Sequence, residues 1–308
     1  MIYTLTLNPS VDYVIELQNV ELGSLNRIEK TLKFAGGKGI NVSKVLKRMG
    51  VPNKALGFIG GFTGNYIESQ LQKEKIETDF VQVEEDTRIN IKMKTDKETE
   101  LNAGGPSIST ENFLKLKEKI GMLTSEDLLV LAGSVPSTLP KTTYEELVKI
   151  CKGNQVSFVV DAEGDLLKAV LPYQPFLIKP NHHELGDLFG TTITTPEEAI
   201  PYGKELLKMG AKNVIVSLAG EGAVLINQQD IVICTVPKGE VKSSVGAGDS
   251  MVGGFLAKYQ ETKDVKRAFQ YSIASGSATA FSDGLCTKEK VESLLEEVII
   301  KKTENTNM

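Results

Sequence analysis

The chain has 308 residues, 41% of them apolar and 24% charged, with a formal net charge of −5. That length fits one large α/β domain or two small ones around a real core, and the acidic balance gives no broad footprint for nucleic acid. No window approaches the roughly 18 consecutive apolar residues of a membrane span, and "MIYTLTLNPS" has neither a charged leader region nor a cleavage signal. A soluble cytoplasmic protein with no nucleic-acid or membrane partner is expected. Cys151, Cys234 and Cys286 show no CxxC spacing, which points to reduced buried thiols rather than a disulfide frame or a zinc site.

In chain order, "IYTLTLNPS" is a short apolar run ending in polar residues, as a buried parallel strand should. Residues 12–34 alternate polar and apolar side chains between turns, and residues 87–102 do the same. Both read as antiparallel strands with one solvated face, placed together as a small sheet over a crevice. "LLVLAGSVP", "SFVVDAEG", "FLIKPNHHE" and "NVIVSLAGEG" repeat the pattern of an apolar run, a polar or glycine cluster and a helix. This rhythm predicts an α/β fold with a mostly parallel central sheet flanked by helices. Ligands bind beyond the carboxyl ends of such strands, so Asn8, Ser134, Asp161, Lys179, Asn181, Glu184 and Ser217 are the polar positions to watch. After residue 246 the pattern is mainly helical, and the polar tail "KKTENTNM" is expected to fray.

Two glycine clusters carry chemistry. In "SSVGAGDSMVGG", Gly246, Ala247 and Gly248 sit at a helix start, where unpaired backbone N–H groups and the helix dipole favour an anion such as phosphate. Asp249 in the first turn reads either as a capping carboxylate, worth about 0.5–2 kcal/mol, or as the base that takes a proton from a hydroxyl attacking a phosphoryl group. In "FAGGKGINVSKVL" the spacing is not that of a P-loop, since no Ser or Thr follows Lys38. The glycines allow a tight turn into a helix carrying Asn41, with Lys38 able to reach an anion. "GAGDSMVGG" also lacks the spacing of a nicotinamide-binding turn.

With their order and separation, the two clusters resemble the N- and C-terminal signatures of the PfkB carbohydrate kinase family, which has the ribokinase-like fold. The likeness runs through "TLNPSVD", "GFIGG", "TRINIK", "LAGSVP", "IKPNHHEL" and "VSLAGEG". It is strongest toward the branch of bacterial kinases that act on phosphorylated ketoses. The resemblance implies a single kinase domain over residues 1–308 with a discontinuous β lid from about 12–34 and 87–102. It implies ATP as co-substrate, Mg2+, and a sugar phosphate, first of all D-fructose 1-phosphate, with tagatose 6-phosphate as the alternative; a non-catalytic sugar-phosphate sensor is the rival from another class. Asp249 would be the base and Gly246, Ala247 and Gly248 the anion hole. Asp12, Gly37 and Asn41 would bind sugar hydroxyls, Lys38 and Arg88 the sugar's phosphate, with Arg27 assisting across a dimer interface and Ser134 nearby. Lys179 would approach the ATP phosphates, and the NxxE residues Asn181 and Glu184 would organise Mg2+ through water. Ser217, Gly220, Gly222, Val236 and Ser282 would line the nucleotide. The adjacent His182 and His183 should face different ways on a helix rather than share a metal. A monovalent cation and a homodimer through the lid complete what the resemblance implies.

Overall fold

A computed structural model of the chain describes residues 1–95 and 98–305. In chain order the elements are β1 (Ile2–Thr6), β2 (Ser10–Glu16), β3 (Lys30–Gly36), α1 (Lys38–Arg48), β4 (Asn53–Gly60), α2 (Gly61–Lys73), β5 (Glu77–Thr78), β6 (Val81–Val83), β7 (Arg88–Lys94) and β8 (Glu98–Leu101). There follow α3 (Thr110–Gly121), β9 (Leu128–Ala132), α4 (Thr143–Gly153), β10 (Ser157–Asp161), α5 (Gly164–Val170), β11 (Leu177–Ile178), α6 (His182–Phe189), α7 (Pro196–Lys208) and β12 (Asn213–Ser217). The chain closes with β13 (Ala223–Asn227), β14 (Asp230–Cys234), α8 (Ala247–Thr262), α9 (Val265–Ala280), α10 (Lys288–Leu295) and β15 (Ile300–Asn305).

The main sheet runs β15-β14-β13-β12-β11-β10-β9-β1-β4-β5, with β6 beside β4. It is parallel from β12 to β5 and antiparallel through β13, β14 and β15. Strands covered on both faces need near-continuous apolar runs. Accordingly Leu5, Leu129, Leu131 and Val160 point into one core, and Val130, Val159 and Ile215 into the other. The expected α/β layering with a parallel centre is what the chain adopts.

The tail departs from its expectation. Residues 300–305 form β15, paired antiparallel with β14, because the outer edge of β14 offers a row of backbone donors and acceptors that a short polar strand can satisfy. Residues 306–308 lie outside the described residues.

The second sheet, ordered β3-β2-β7-β8, stands apart from the first. β2–β3 and β7–β8 are antiparallel as expected, but β2 and β7 pair in parallel. The chain leaves this small sheet after β3, builds α1 through β6, and returns in the same direction, which a hairpin cannot do. Residues 96 and 97 of the second lid segment lie outside the described residues.

Close packing of α1 against α8 sets up the site. A Cβ at Gly253 would fall 2.7 Å from Val45 Cγ1, so only glycine lets the two helices approach so nearly. Val42, Val45, Val252 and Phe255 fill the surrounding interface. The consequence is that the first turns of both helices, which carry Asn41 and Asp249, open onto one place.

Candidate active site

A crevice of about 1380 Å³ lies between the carboxyl ends of the parallel strands and the second sheet. At its centre, Gly246 caps α8 in the left-handed region at φ 77°, which suits glycine, and a Cβ there would sit 2.6 Å from Leu285 Cδ2. Gly246, Ala247 and Gly248 all line the crevice at this helix start, where N–H groups lack intrahelical partners; the Ala247 N–H donates to the Ser244 carbonyl at 3.2 Å, and a helix start of this kind suits an anion. Lys179, buried just past β11, brings Nζ to 3.1 Å from where a Gly248 Cβ would stand, so an ammonium overlooks the same amides.

Asp249 lies in the first turn of α8 but is not its N-cap, which is Gly246, and its carboxylate bonds across to α1. Its Oδ2 accepts from Asn41 Nδ2 at 2.8 Å. Burial, helped by the charge of Asp161, raises its pKa from 3.8 to about 6, against the pull of Asn41, Lys38 and Lys179. Such a group is ionised at neutral pH and still basic enough to accept a proton.

Lys38, at the start of α1, pairs with Asp161 at 3.4 Å and Glu163 at 3.6 Å. Burial alone would lower its pKa, but Asp161, Glu184, Asp249 and Glu163 outweigh that and hold the ammonium above its ordinary range. Asp161 is 3% exposed at the end of β10. Its position after an apolar run marked it as a residue to watch, but no motif gave it a role.

The second sheet supplies the opposite wall. Asp12, on β2, has Oδ1 bonded to Ser10 Oγ at 2.7 Å and Asn90 Nδ2 at 3.2 Å. Arg88, on β7, donates from Nη1 to the Ala103 carbonyl and from Nη2 to the Asn8 carbonyl, both at 2.9 Å. Both Nη atoms of the group expected to bind the sugar's phosphate are therefore held by backbone carbonyls. Nε is buried without a partner, and burial lowers the pKa against the influence of Asp12. Gly37 and Ser134 line the crevice near these groups. Asn90, Lys92 and Glu100 line it as well; sequence reading missed them, although alternation along "RINIK" puts Asn90 and Lys92 on the face of Arg88.

Toward the other end, Asn181 and Glu184 form a reciprocal capping box on α6. Asn181 Oδ1 accepts from the Glu184 N–H at 2.9 Å and Glu184 Oε2 from the Asn181 N–H at 2.8 Å. Oε1 of Glu184 is left over, and burial raises this carboxyl's pKa despite the Asn181 N–H and Lys179. Among the described residues no three His, Cys, Asp or Glu side chains converge to hold a metal directly. A hard cation here would take most of its ligands from water and phosphate oxygens, which fits Mg2+. His182 and His183 differ from expectation: at the start of α6 their rings pack on one another with centroids 3.9 Å apart, and His182 Nδ1 also lies 3.4 Å from the Ser217 carbonyl.

Ser217, Gly220, Gly222 and Val236 line this end of the crevice beside Phe281. Two expected residues do not line it. Ser282 turns its hydroxyl to the Ala278 carbonyl at 2.7 Å, finishing α9 instead. Arg27 is exposed in the β2–β3 connection, beyond reach of its own crevice.

The pfkB family carbohydrate kinase model matches residues 5–291. The chain is 52% identical to the 1-phosphofructokinase of Bacillus subtilis over 97% of this chain and 98% of that one. It is 38% identical to the D-tagatose-1-phosphate kinase of Bacillus licheniformis over 97% and 99%. A Staphylococcus aureus structure assigned as a phosphofructokinase superposes with a TM-score of 0.89 at 45% identity, covering 99% of each chain. A buried carboxylate at a helix start, facing a second sheet that carries another carboxylate, is thus set in a chain that matches one family over nearly its whole length: this protein belongs to the pfkB family of carbohydrate kinases.

Proposed function

We propose that the protein transfers the γ-phosphoryl group of ATP to the 6-hydroxyl of D-fructose 1-phosphate, giving D-fructose 1,6-bisphosphate and ADP. The observation that carries this is the place of Asp249: a carboxylate raised to about 6 between the α8 amides on one side and the lid on the other. As the sugar oxygen attacks phosphorus, its proton passes to Asp249 and the bond to the β–γ bridging oxygen breaks. The Gly246 and Gly248 amides and Lys179 face the charge that accumulates on the transferred group, and the Ala247 N–H turns from the Ser244 carbonyl to join them. Asp12, Gly37 and Asn41 orient the sugar; Lys38 exchanges Asp161 for the sugar's phosphate, and the Arg88 guanidinium turns from the Ala103 and Asn8 carbonyls to the same group. Ser134 borders that phosphate. Ser217, Gly220, Gly222 and Val236 receive the nucleotide. Mg2+ held through water by Asn181 and Glu184 would neutralise phosphate charge.

The same reading treats the chain as one catalytic unit with a discontinuous lid. Leu22, Leu25 and Ile28 in the β2–β3 connection and Leu32 and Phe34 on β3 are exposed together, an apolar surface that supports a homodimer through the lid. In that dimer Arg27 would enter the partner's crevice. Light scattering on Leu32→Lys/Phe34→Lys tests this: the variant should have half the mass of wild type, and an unchanged mass would refute the interface.

A second reading is favoured by the 38% identical relative named for D-tagatose 1-phosphate, a sugar that differs from fructose 1-phosphate only in configuration at C4. Coupled ADP-release assays on fructose 1-phosphate, tagatose 1-phosphate, tagatose 6-phosphate and fructose 6-phosphate decide among them. The highest kcat/KM should fall on fructose 1-phosphate; a higher value for a tagatose phosphate reverses the order, and no ketose-phosphate-dependent ADP release with any of them returns the chain to a sensor.

A further inference from the structure

The least exposed polar side chain on the crevice side of the lid strands β7 and β8 is one that the catalytic reading does not use. Asn90 is 7% exposed and lies directly across from Asp12 in the β2–β7 register. Its Nδ2 donates to Asp12 Oδ1 at 3.2 Å, and its Oδ1 accepts the Ala103 N–H at 3.3 Å. Ala103 belongs to the segment by which the chain leaves the lid. Arg88 Nη1 holds the Ala103 carbonyl at 2.9 Å and Asn8 Nδ2 holds the Gly104 carbonyl at 3.1 Å. The carboxylate demands a donor and the backbone N–H an acceptor, so the two partners fix the amide's orientation, and a carboxamide of this length meets both demands at once.

We propose that Asn90 is a positioning residue for Asp12, holding one carboxylate oxygen so that the other faces the sugar and tying that carboxylate to the lid's exit segment. The inference rests on the proposed role of Asp12 in sugar binding. Ser10 Oγ and Asn90 Nδ2 both donate to Oδ1, and the described residues offer Oδ2 no donor. Oδ2 is then the acceptor left for a sugar hydroxyl. Freed of Asn90, the carboxylate can rotate, and a hydroxyl meets it only part of the time.

Two variants separate holding Asp12 from holding Ala103. Asn90→Leu keeps the volume and loses both bonds. Asn90→Asp keeps an acceptor for Ala103 but sets a second carboxylate against Asp12. Arg88 and Lys92 on β7 and Lys44 on α1 are the charged groups around that pair; none replaces the lost donor. Two carboxylates at hydrogen-bond distance share a proton as pH falls, which restores a donor between them.

In the full-length protein, Asn90→Leu should raise KM for fructose 1-phosphate about tenfold while KM for ATP stays within about twofold. Asn90→Asp should match that loss at pH 8 and recover most of it, relative to wild type, by pH 6. The proposal is overturned if both variants leave the sugar KM within twofold of wild type, if KM for ATP rises equally, or if the Asn90→Asp loss does not depend on pH. Failure of the kinase reading would show separately, as wild type that releases no ADP. Calorimetric affinity for fructose 1-phosphate then decides: weaker binding by Asn90→Leu than by wild type supports the role, equal binding overturns it, and no binding by wild type overturns both.

Discussion

Replacing Asp249 by asparagine should move activity and stability in opposite directions. Asparagine keeps the shape and an oxygen for Asn41, but it accepts no proton, and loss of a positioned general base lowers kcat by about 10²–10⁴. The stability effect follows from the raised pKa. A carboxyl moved from 3.8 to about 6 on folding binds its proton more tightly in the folded state, so the folded chain is favoured below the ordinary pKa and loses that advantage as pH rises through 6. Ionisation at pH 8 therefore costs the folded state about 3 kcal/mol. Asp249→Asn never ionises and should be more stable than wild type at pH 8, with Tm higher by about 4–5 °C for a chain of this size. The difference should shrink toward zero near pH 4. Steady-state ADP release gives kcat, and calorimetric melts at pH 8 and pH 4 give Tm. The wild-type rate should also show a limb rising with pH near 6 that Asp249→Asn lacks, which separates the base from ionisation of the sugar's own phosphate near pH 6. A variant with kcat within tenfold of wild type, or a lower Tm at pH 8, would refute the assignment and its cause.

Other outcomes follow from the same geometry. Glu184→Gln keeps an oxygen for the Asn181 N–H, so Tm should hold within about 2 °C while the Mg2+ concentration for half-maximal rate rises about 10–100-fold; an Mg2+ titration and a melt check both. Gly246→Ala forces a positive φ on alanine and a contact with Leu285, so kcat should fall about five- to thirtyfold, from about 1–2 kcal/mol of displaced geometry at the proposed anion hole, measured at saturating ATP. Cys151, Cys234 and Cys286 are buried, with thiol pKa values pushed up by burial, and a thiol reagent should label them at pH 8 only after denaturant is added.

The parallel centre was legible because strands buried on both faces must be continuous apolar runs, as in "LLVLA" and "NVIVS". The glycine clusters were legible because a tight turn into a closely packed helix needs residues without a Cβ, as at Gly246 and Gly253. Strand direction in the lid was not: alternation in "SVDYVIE" and "RINIKMK" reports which face is wet, and it is the same for parallel and antiparallel partners. β15 escaped notice because an edge strand on β14 needs backbone bonds rather than an apolar pattern. Contacts between distant segments were also invisible. Lys38 with Asp161, Asn41 with Asp249 and Asn90 with Asp12 join residues 123, 208 and 78 positions apart, and no local spacing records such pairs. The NxxE motif shows a further limit, since the pair expected to organise a cation forms a reciprocal capping box, which the same spacing equally describes.

Phosphorus-31 NMR of the protein turning over ATP and D-fructose 1-phosphate with Mg2+ tests the central claim most directly. The γ-phosphate signal should be replaced, one for one with ADP, by a second sugar phosphomonoester at C6, and Asp249→Asn should leave the ATP spectrum unchanged on the same timescale. Inorganic phosphate in place of the bisphosphate, or a second ester formed equally fast without Asp249, would contradict it.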